Sequence, residues 1–549
     1  MTFNLPRPIR PNYDVSRAKK RPLHERLKRA TTNWAENGYG TPMSVVLFYL
    51  VKMIVFSAGW ALTLQFNETP PTFREPESWF THLCLVKMIV WAMSFELLGL
   101  GCGSGPLTGR YMPPIGGCLY FLRPNMVRLP LFGARKLYTR TLTDVSLYAA
   151  VIVTAMWVCF SPVFNTHSLS VILILMTIMS IRDKTMFLAG RGEHYLSMMI
   201  CFLSETHWFT GVVTIQLSLW LWAAVSKLTP HFPYVVTVMN SNAPWRFLKR
   251  MRLAFFKRFP EDLRPSRAAY WLSHFGTVVE FAFPVILVAN QGDLFTTAAL
   301  ASMVVFHAFI VLHVPMGVPL EWNLVMVYGG FFCFGDMQAY TISPAPLWMI
   351  AFLILVSGLV PLLGNLFPNR ISFLPSMRYY AGNWAHSIWL FKGECSDQIQ
   401  RHFSPTSMSP AVQLERLYDR QVAEAALEAV IAFRAMHLHG RVLQETLPHA
   451  VNDITSYQWL DGEVVAGWLL GWNFGDGHLH DERLLSAIQE RCQFESEQLR
   501  CIFVESQPIH RRTISWRIVD AKDGEISAGT CDVDQLRQKQ PFDFTHCPH

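Results

Sequence analysis

Residues 195–227 read YLSMMICFLSETHWFTGVVTIQLSLWLWAAVSK, a run that is apolar over most of its length. A helix crosses the hydrocarbon of a bilayer with about 20 residues, so this run predicts either a hairpin within the membrane or one long, tilted helix. Eight further apolar runs have nearly spanning length: 43–66, 79–100, 143–162, 168–189, 268–290, 295–317, 321–337 and 346–366. The sequence therefore predicts an all-α polytopic membrane protein with about nine transmembrane helices.

The composition supports this fold class and excludes two others. Of the 549 residues, 51% are hydrophobic and only 16% are charged, whereas a soluble domain carries about 25% charged residues. A disordered chain and a wholly water-soluble enzyme are both excluded. Residues 1–394 carry a net charge of +15 and residues 395–549 a net charge of −8. We expect the basic part to contact anionic lipid headgroups, and nothing indicates binding to nucleic acid.

The lysine and arginine residues near the apolar runs predict the orientation. Nine lie in residues 1–42, six in 101–142 and eight in 242–267. By the positive-inside rule these segments face the cytoplasm. This orientation requires 195–227 to turn back within the membrane, and it places both the N-terminus and the C-terminal region inside.

The chain is expected to divide into four parts. Residues 242–267 and 374–393 mix cations with aromatic residues, which predicts interfacial amphipathic helices. The predicted parts are a basic N-terminal segment (1–42), a transmembrane helical domain (43–366), an interfacial amphipathic linker (367–409) and a small cytoplasmic α+β domain (410–549).

The C-terminal region has the pattern of a small α+β domain. A stretch with few helix breakers predicts a helix from about 410 to 437, and a second helix is predicted at Asp481–Cys492. Asp523-Gly524 lies between two alternating segments, Thr513–Val519 and Glu525–Val533, which predicts a β-hairpin. If the protein is not an enzyme, this domain is expected to recruit a cytoplasmic protein partner.

Two His-x-His pairs in the C-terminal region, called the tail below, are the weak candidates for a metal site. They are His437 with His439, and His478 with His480. On a strand, residues i and i+2 share a face and can chelate zinc or iron. The first pair falls at a predicted helix end, where this spacing diverges, and exposed turn residues are the commoner explanation. We therefore expect no metal.

Ionisable side chains inside a bilayer are costly, so each one within an apolar run is a candidate for function. Lys87 and Glu96 are nine residues apart, so on one helix their side chains would lie on opposite faces. Each of them therefore needs a partner on another helix. His307 and His313 do not share the i, i+4 spacing of a helical metal pair. Glu280 lies in the middle of its run, where its carboxylate cannot reach the headgroup region.

Three short motifs resemble the core of vitamin K-dependent gamma-carboxylase. They are Asp183-Lys184-Thr185, then His194-Tyr195-Leu196, then Ala223–Leu228 with the sequence AAVSKL. The chain also resembles the wider HTTM (horizontally transferred transmembrane) superfamily, and most closely a related bacterial transmembrane family of unknown function. The resemblance implies a location in the bacterial cytoplasmic membrane.

The resemblance also implies a chemistry. In the carboxylase, the lysine that matches Lys227 is the base that deprotonates a hydroquinone, and the histidine that matches His194 assists it. A lysine at the edge of an apolar site loses solvation, which favours its neutral, basic form. Glu280 is expected to supply a counter-charge, a reduced, vitamin K-like quinone is the expected cofactor, and membrane lipids and a lipophilic small molecule are the expected partners. Further candidates for binding substrate or cofactor are Asp183, Lys184, Lys87, Glu96 and His274.

Two classes of function remain open from the sequence. The first is a membrane enzyme with a lysine base that acts on a quinone-like or other lipophilic substrate. The second is a non-enzymatic protein that binds or transports lipid, or that acts as a scaffold.

Overall fold

The structure is a computed structural model of the full chain. It describes residues 13–40, 43–101, 116–132, 138–242, 249–289, 294–313, 320–336, 340–371, 381–403, 408–472 and 477–543.

The first two thirds of the chain form a helical bundle. Local sequence signals are visible in two of the helices: Thr141 and Asp144 form a capping box at the start of α6, and Pro284 lies inside α13. The helices are α1 Val15–Ala18, α2 Leu23–Asn37, α3 Met43–Leu64, α4 His82–Leu97, α5 Gly116–Phe121, α6 Leu142–Phe160, α7 Thr166–Arg182, α8 Lys184–Ala189, α9 Gly192–Cys201, α10 Trp208–Ser226, α11 Phe232–Asn240, α12 Lys249–Leu253, α13 Arg267–Ala289, α14 Leu294–Val311, α15 Leu320–Phe334, α16 Leu347–Leu353 and α17 Val360–Leu366, with a 3-10 turn at Pro76–Phe80 and a π-helical turn at Ile354–Leu359 between α16 and α17.

Six helices of the described residues are long and apolar enough to cross a membrane, so the predicted count of nine is not confirmed. Two further apolar helices, α7 and α15, are shorter. The six are Leu47–Leu64, Leu142–Phe160, Trp208–Ser226, Arg267–Ala289, Leu294–Val311 and Leu347–Leu366.

The long apolar run 195–227 forms two helices rather than one long, tilted helix. Helix α9 ends at Cys201, and α10 begins at Trp208. Between and just after them, the Nδ1 of His207 lies 3.0 Å from the Oγ of Ser343, and the Thr210 hydroxyl donates to the Ser343 carbonyl. The run is therefore not one long helix. Helix α10 by itself is long and apolar enough to cross a membrane, so a turn of 195–227 within the membrane stays a prediction.

The N-terminal segment packs against the C-terminal region. Helix α2 lies on a tail helix, Arg420–Met436, and the buried Arg26 guanidinium donates to both carboxylate oxygens of Glu428 at 2.7 and 2.6 Å. The N-terminal segment is thus packed directly against the tail.

The tail folds around a five-stranded antiparallel sheet with the order β6-β5-β7-β8-β9. Two two-stranded pairs, β1 with β2 and β3 with β4, lie earlier in the chain. The strands are β1 Val127–Arg128, β2 Tyr138–Thr139, β3 Phe256–Arg258, β4 Asp262–Pro265, β5 His386–Lys392, β6 Tyr457–Asp461, β7 Leu499–Val504, β8 Thr513–Asp520 and β9 Gly524–Asp532. The tail helices are α18 Cys395–His402, α19 Pro410–Leu417, α20 Arg420–Met436, α21 Leu438–Ala450, α22 Gly462–Leu470, α23 Glu482–Cys492 and α24 Val533–Gln538, with 3-10 turns at Ile454–Ser456 and Gly477–His480.

Several local predictions for the tail are confirmed. Strands β8 and β9 form the predicted hairpin, and α23 begins one residue after Asp481, whose carboxylate caps it. The prediction of one helix over 410–437 is confirmed only in part, because the segment forms two helices, α19 and α20, which Tyr418 and Asp419 separate.

The two predicted interfacial helices are largely wrong. Within 374–393, residues 386–392 form the strand β5, which pairs on both sides and buries six of its seven residues. A strand that is covered on both faces has a continuous apolar sequence. The sequence of β5 therefore resembles that of a segment in contact with a membrane. In the described residues of 242–267, which leave out 243–248, the only helix is the five-residue α12, and the β3–β4 pair follows it.

Candidate functional site

A buried ion pair joins two helices of the bundle. Lys227 ends α10, and Glu280 lies in the middle of α13. The Nζ atom of Lys227 lies 2.6 and 2.5 Å from the two carboxylate oxygens of Glu280, and both side chains are almost fully buried. The structure thus brings together the predicted catalytic lysine and its predicted counter-charge.

This ion pair lies on the wall of a cavity of about 520 Å³. The cavity is lined by residues of α10, α11, α13, α14 and α15, and most of its lining is aliphatic or aromatic. The Nζ atom of Lys227 lies 5.2 Å from the ring centre of Phe306 and 5.7 Å from that of Phe232. Aromatic faces attract a cation, so these rings hold the ammonium group at the edge of the cavity.

His307 is a second polar residue of the wall, and both of its ring nitrogens have partners. The indole of Trp220 donates to Nε2 at 3.1 Å, so Nδ1 carries the proton and donates to the side-chain oxygen of Asn323 at 2.7 Å. An imidazole fixed in this way is neutral and has no lone pair left for a substrate. His307 therefore shapes the cavity rather than acting as a base.

His313 also lines the cavity, just beyond the end of α14. Its Nδ1 lies 2.7 Å from the backbone carbonyl of Phe309, one helical turn earlier. Among the described residues, its buried Nε2 has no hydrogen-bond partner.

The predicted assisting base His194 is not on the cavity wall. It is buried in α9, and the indole of Trp322 donates to its Nδ1 at 3.0 Å. Trp322 itself lines the cavity. His194 therefore contacts the cavity wall through this indole and does not line the cavity itself.

The predicted binding residues of the Asp-Lys-Thr motif have structural partners. Asp183 caps α8, accepts from the backbone amide of Thr185 and pairs with Arg140 at 2.8 Å. Lys184 is buried in the first turn of α8. Neither side chain lines the cavity. The motif thus fixes the junction between α7, α8 and the loop that carries Arg140.

Lys87, Glu96 and His274 do not line the cavity either. As predicted, Lys87 and Glu96 find partners on other segments: Lys87 donates to the Thr63 carbonyl at 2.8 Å, and Glu96 pairs with Arg191 at 2.6 Å. The ring of His274 is largely exposed and lies beside Tyr270.

Three histidines of the two His-x-His pairs, His437, His439 and His480, are buried rather than exposed at turns. The Nδ1 of His437 donates to the Phe433 carbonyl, and the Nε2 of His439 donates to the Glu505 carbonyl, both at 2.8 Å. Burial lowers the pKa of His437 to about 3. Within the described part of the chain, no three potential ligands are placed to hold a metal ion. The side chain of His478 lies outside the described residues.

Sequence reasoning did not assign His307, His313 and Asn323 to the site. The two histidines stood out as ionisable residues in an apolar run, but their spacing suggested no common function. They share one cavity because His313 lies beyond the last turn of α14, where helical spacing no longer applies.

Comparison with known proteins gives one match. A family model described as a transmembrane protein of unknown function (DUF3556) matches residues 1–549. No curated protein and no solved structure matches the chain.

Proposed function

The chain belongs to the DUF3556 family of transmembrane proteins, and we propose that it is an integral membrane enzyme. In this proposal the Lys227–Glu280 pair accepts a proton from a lipophilic substrate such as a hydroquinone. The observation that carries the proposal is a buried ion pair on the wall of an otherwise apolar cavity. Ionisable groups in such surroundings mark functional sites. The motif resemblance to the gamma-carboxylase core supports the quinone-like class of substrate.

The chemistry follows from the charge balance of the pair. Before reaction the ammonium of Lys227 neutralises the carboxylate of Glu280. When a substrate hydroxyl enters, its proton passes to the Glu280 carboxylate, because the protonated Nζ of Lys227 has no lone pair to accept it. The oxyanion that remains is stabilised by the ammonium group. No net charge is created in the cavity, which keeps the cost low in a medium of low dielectric constant.

The cavity also fits an apolar ring. The aromatic side chains of Trp220, Phe232 and Phe306 form part of its wall. Pockets of this kind bind by apolar contact and orient the ligand through a few polar groups. The few polar groups here include Lys227 and Glu280, so the reacting hydroxyl of a bound ring is expected at that pair.

The second candidate function is lipid binding or transport without chemistry, with the tail recruiting a protein partner. The observation that favours it is the exposure of the cavity wall: Phe275 and Val305 are 65% and 69% exposed and face the surroundings of the bundle. A second cavity of about 650 Å³, lined by Trp60, Trp79 and Tyr328, also adjoins α14. Membrane lipids can enter such openings sideways.

We further propose that the protein lies in a bacterial cytoplasmic membrane with its N-terminus and tail inside. The contact between α2 and α20 requires an even number of crossings. The six candidate spans of the described residues meet this requirement, because their number is even.

Mass spectrometry of lipid extracts from the purified protein tests the enzyme proposal. We expect a copurifying quinone in the wild type whose amount or redox state changes in Lys227→Met. The matched control is Lys87→Met, which removes another buried lysine that does not line the cavity. Phospholipid alone, identical in all three proteins, would favour the non-enzymatic function.

A further inference from the structure

The polar side chains on the cavity wall are almost all satisfied by the protein itself. Besides the ion pair and His307, the Ser302 hydroxyl donates to the Ala298 carbonyl and the Asn240 amide donates to the Val236 carbonyl, both at 2.8 Å. Of the buried side-chain nitrogen and oxygen atoms on this wall, the Nε2 of His313 is the one without a hydrogen-bond partner among the described residues.

The proton on His313 has a defined position. A backbone carbonyl only accepts hydrogen bonds, so the Nδ1 that faces the Phe309 carbonyl carries the hydrogen. The Nε2 atom then has a free lone pair. Because Nδ1 is turned towards the backbone of its own helix, Nε2 points away from that backbone.

Leaving this lone pair unsatisfied is unfavourable. His313 is 5% exposed, so bulk solvent does not reach its ring freely. A buried acceptor without a partner loses the hydrogen bond that it made to water in the unfolded chain. In an otherwise apolar cavity, such an acceptor is suited to a donor on a bound ligand.

We propose that His313 is the residue that selects the ligand of this cavity, by accepting a hydrogen bond from a hydroxyl group through Nε2. The ligand class is a lipophilic molecule with two polar groups, one at His313 and one at the Lys227–Glu280 pair. The second contact rests on the proposed function, whereas the first does not. A carboxylate or an ether has no hydrogen to donate and is disfavoured at His313.

The test uses an octyl-substituted hydroquinone and its two monomethyl ethers. Each ether lacks one of the two hydrogen-bond donors and keeps the other. Dissociation constants are measured by calorimetry on the full-length protein in detergent, under reducing conditions. The variants are His313→Phe, which keeps a flat ring without the acceptor, and Lys227→Met. His274→Phe is the matched control because His274 does not line the cavity.

In the wild type we expect the dissociation constant of each ether to be about tenfold higher than that of the hydroquinone, because each ether loses roughly one hydrogen bond. His313→Phe should abolish this penalty for one ether only. Lys227→Met should abolish it for the other ether. His274→Phe should leave both penalties unchanged.

The outcomes separate the two proposals. If His313→Phe still binds the hydroquinone and both penalties persist, selection by His313 is wrong. If His313→Phe abolishes one penalty but Lys227→Met changes neither, selection stands and the role of the ion pair fails. Tight binding of an ether by His313→Phe would itself show that this variant folds.

Discussion

The membrane bundle and the tail each bury a charged centre, and the two differ in what surrounds the charges. In the tail, the Arg434 guanidinium contacts Asp461 at 2.6 Å and Glu463 at 2.8 Å, with all three side chains almost fully buried. These residues line neither of the two cavities described above. In the bundle, Lys227 and Glu280 are equally close but border open space.

This difference separates a structural charge from a candidate for chemistry. A guanidinium between two carboxylates joins α20 to β6 and α22, and these three residues line neither of the two described cavities. A lysine beside a cavity can exchange its partner for a ligand. Burial and pairing alone do not distinguish the two centres, whereas free volume next to the charge does.

The largest effect is expected in the tail centre. Arg434→Met leaves two carboxylates buried without their cation, which should lower the free energy of unfolding by about 3–5 kcal/mol. Thermal denaturation and limited proteolysis of the full-length protein in detergent measure this loss. Arg420→Ala is the control, because its pair with Glu424 leaves Arg420 mostly exposed, and such pairs contribute about 0–1 kcal/mol.

Lys227→Met provides the matched comparison for Arg434→Met. Glu280 borders the cavity, so its carboxylate has space to be protonated or to bind a small molecule there, and this variant should lose clearly less stability than Arg434→Met. Equal losses in the two variants would mean that both centres are structural, and the distinction based on free volume would fail.

Acidification should weaken the tail through its buried histidines. Burial lowers the pKa of His437 to about 3 and holds that of His386 well below its usual value. In the unfolded chain both titrate near pH 6.5, so the unfolded state binds more protons between these values. The contribution of these two neutral histidines to the free energy of unfolding is fully present above about pH 6.5 and is lost as the pH falls below that value.

The expected loss from His437 alone is about 2–3 kcal/mol at about pH 4.5. Hydrogen exchange of α20 and α21 as a function of pH measures it. His437→Asn keeps a donor near the Phe433 carbonyl without a titratable ring, and so should flatten this pH dependence. An unchanged pH profile in that variant would assign the acid sensitivity to other groups.

Local patterns in the sequence predicted much of this fold, and contacts distant in sequence account for the rest. The β8–β9 hairpin follows from Asp523-Gly524 and alternation, which are local signals. Strand β5 was predicted as an amphipathic helix because its partners, β6 and β7, come 65 and more residues later. The pairing of Asp183 with Arg140 likewise depends on a loop that carries no pattern of its own.

The site shows the same division between local and distant information. Lys227 and Glu280 stood out because charges in apolar runs are rare, and the structure pairs them. The motif that carries His194 predicted a shared site, but the sequence gives no sign that Trp322 would lie between that histidine and the cavity. Only packing reveals which side of an indole a residue occupies.

The smallest expected effect concerns this indole. Trp322→Phe removes the donor to the Nδ1 of His194 and should cost about 1 kcal/mol of stability, the value of one buried hydrogen bond. Thermal denaturation measures that cost, and calorimetry with the octyl-substituted hydroquinone measures binding. If His194 acts on the ligand through Trp322, then His194→Gln weakens binding in the wild type but has no further effect in Trp322→Phe. Additive effects of the two substitutions would instead show that His194 is a packed core histidine, which would leave Lys227 and Glu280 to carry the chemistry without it.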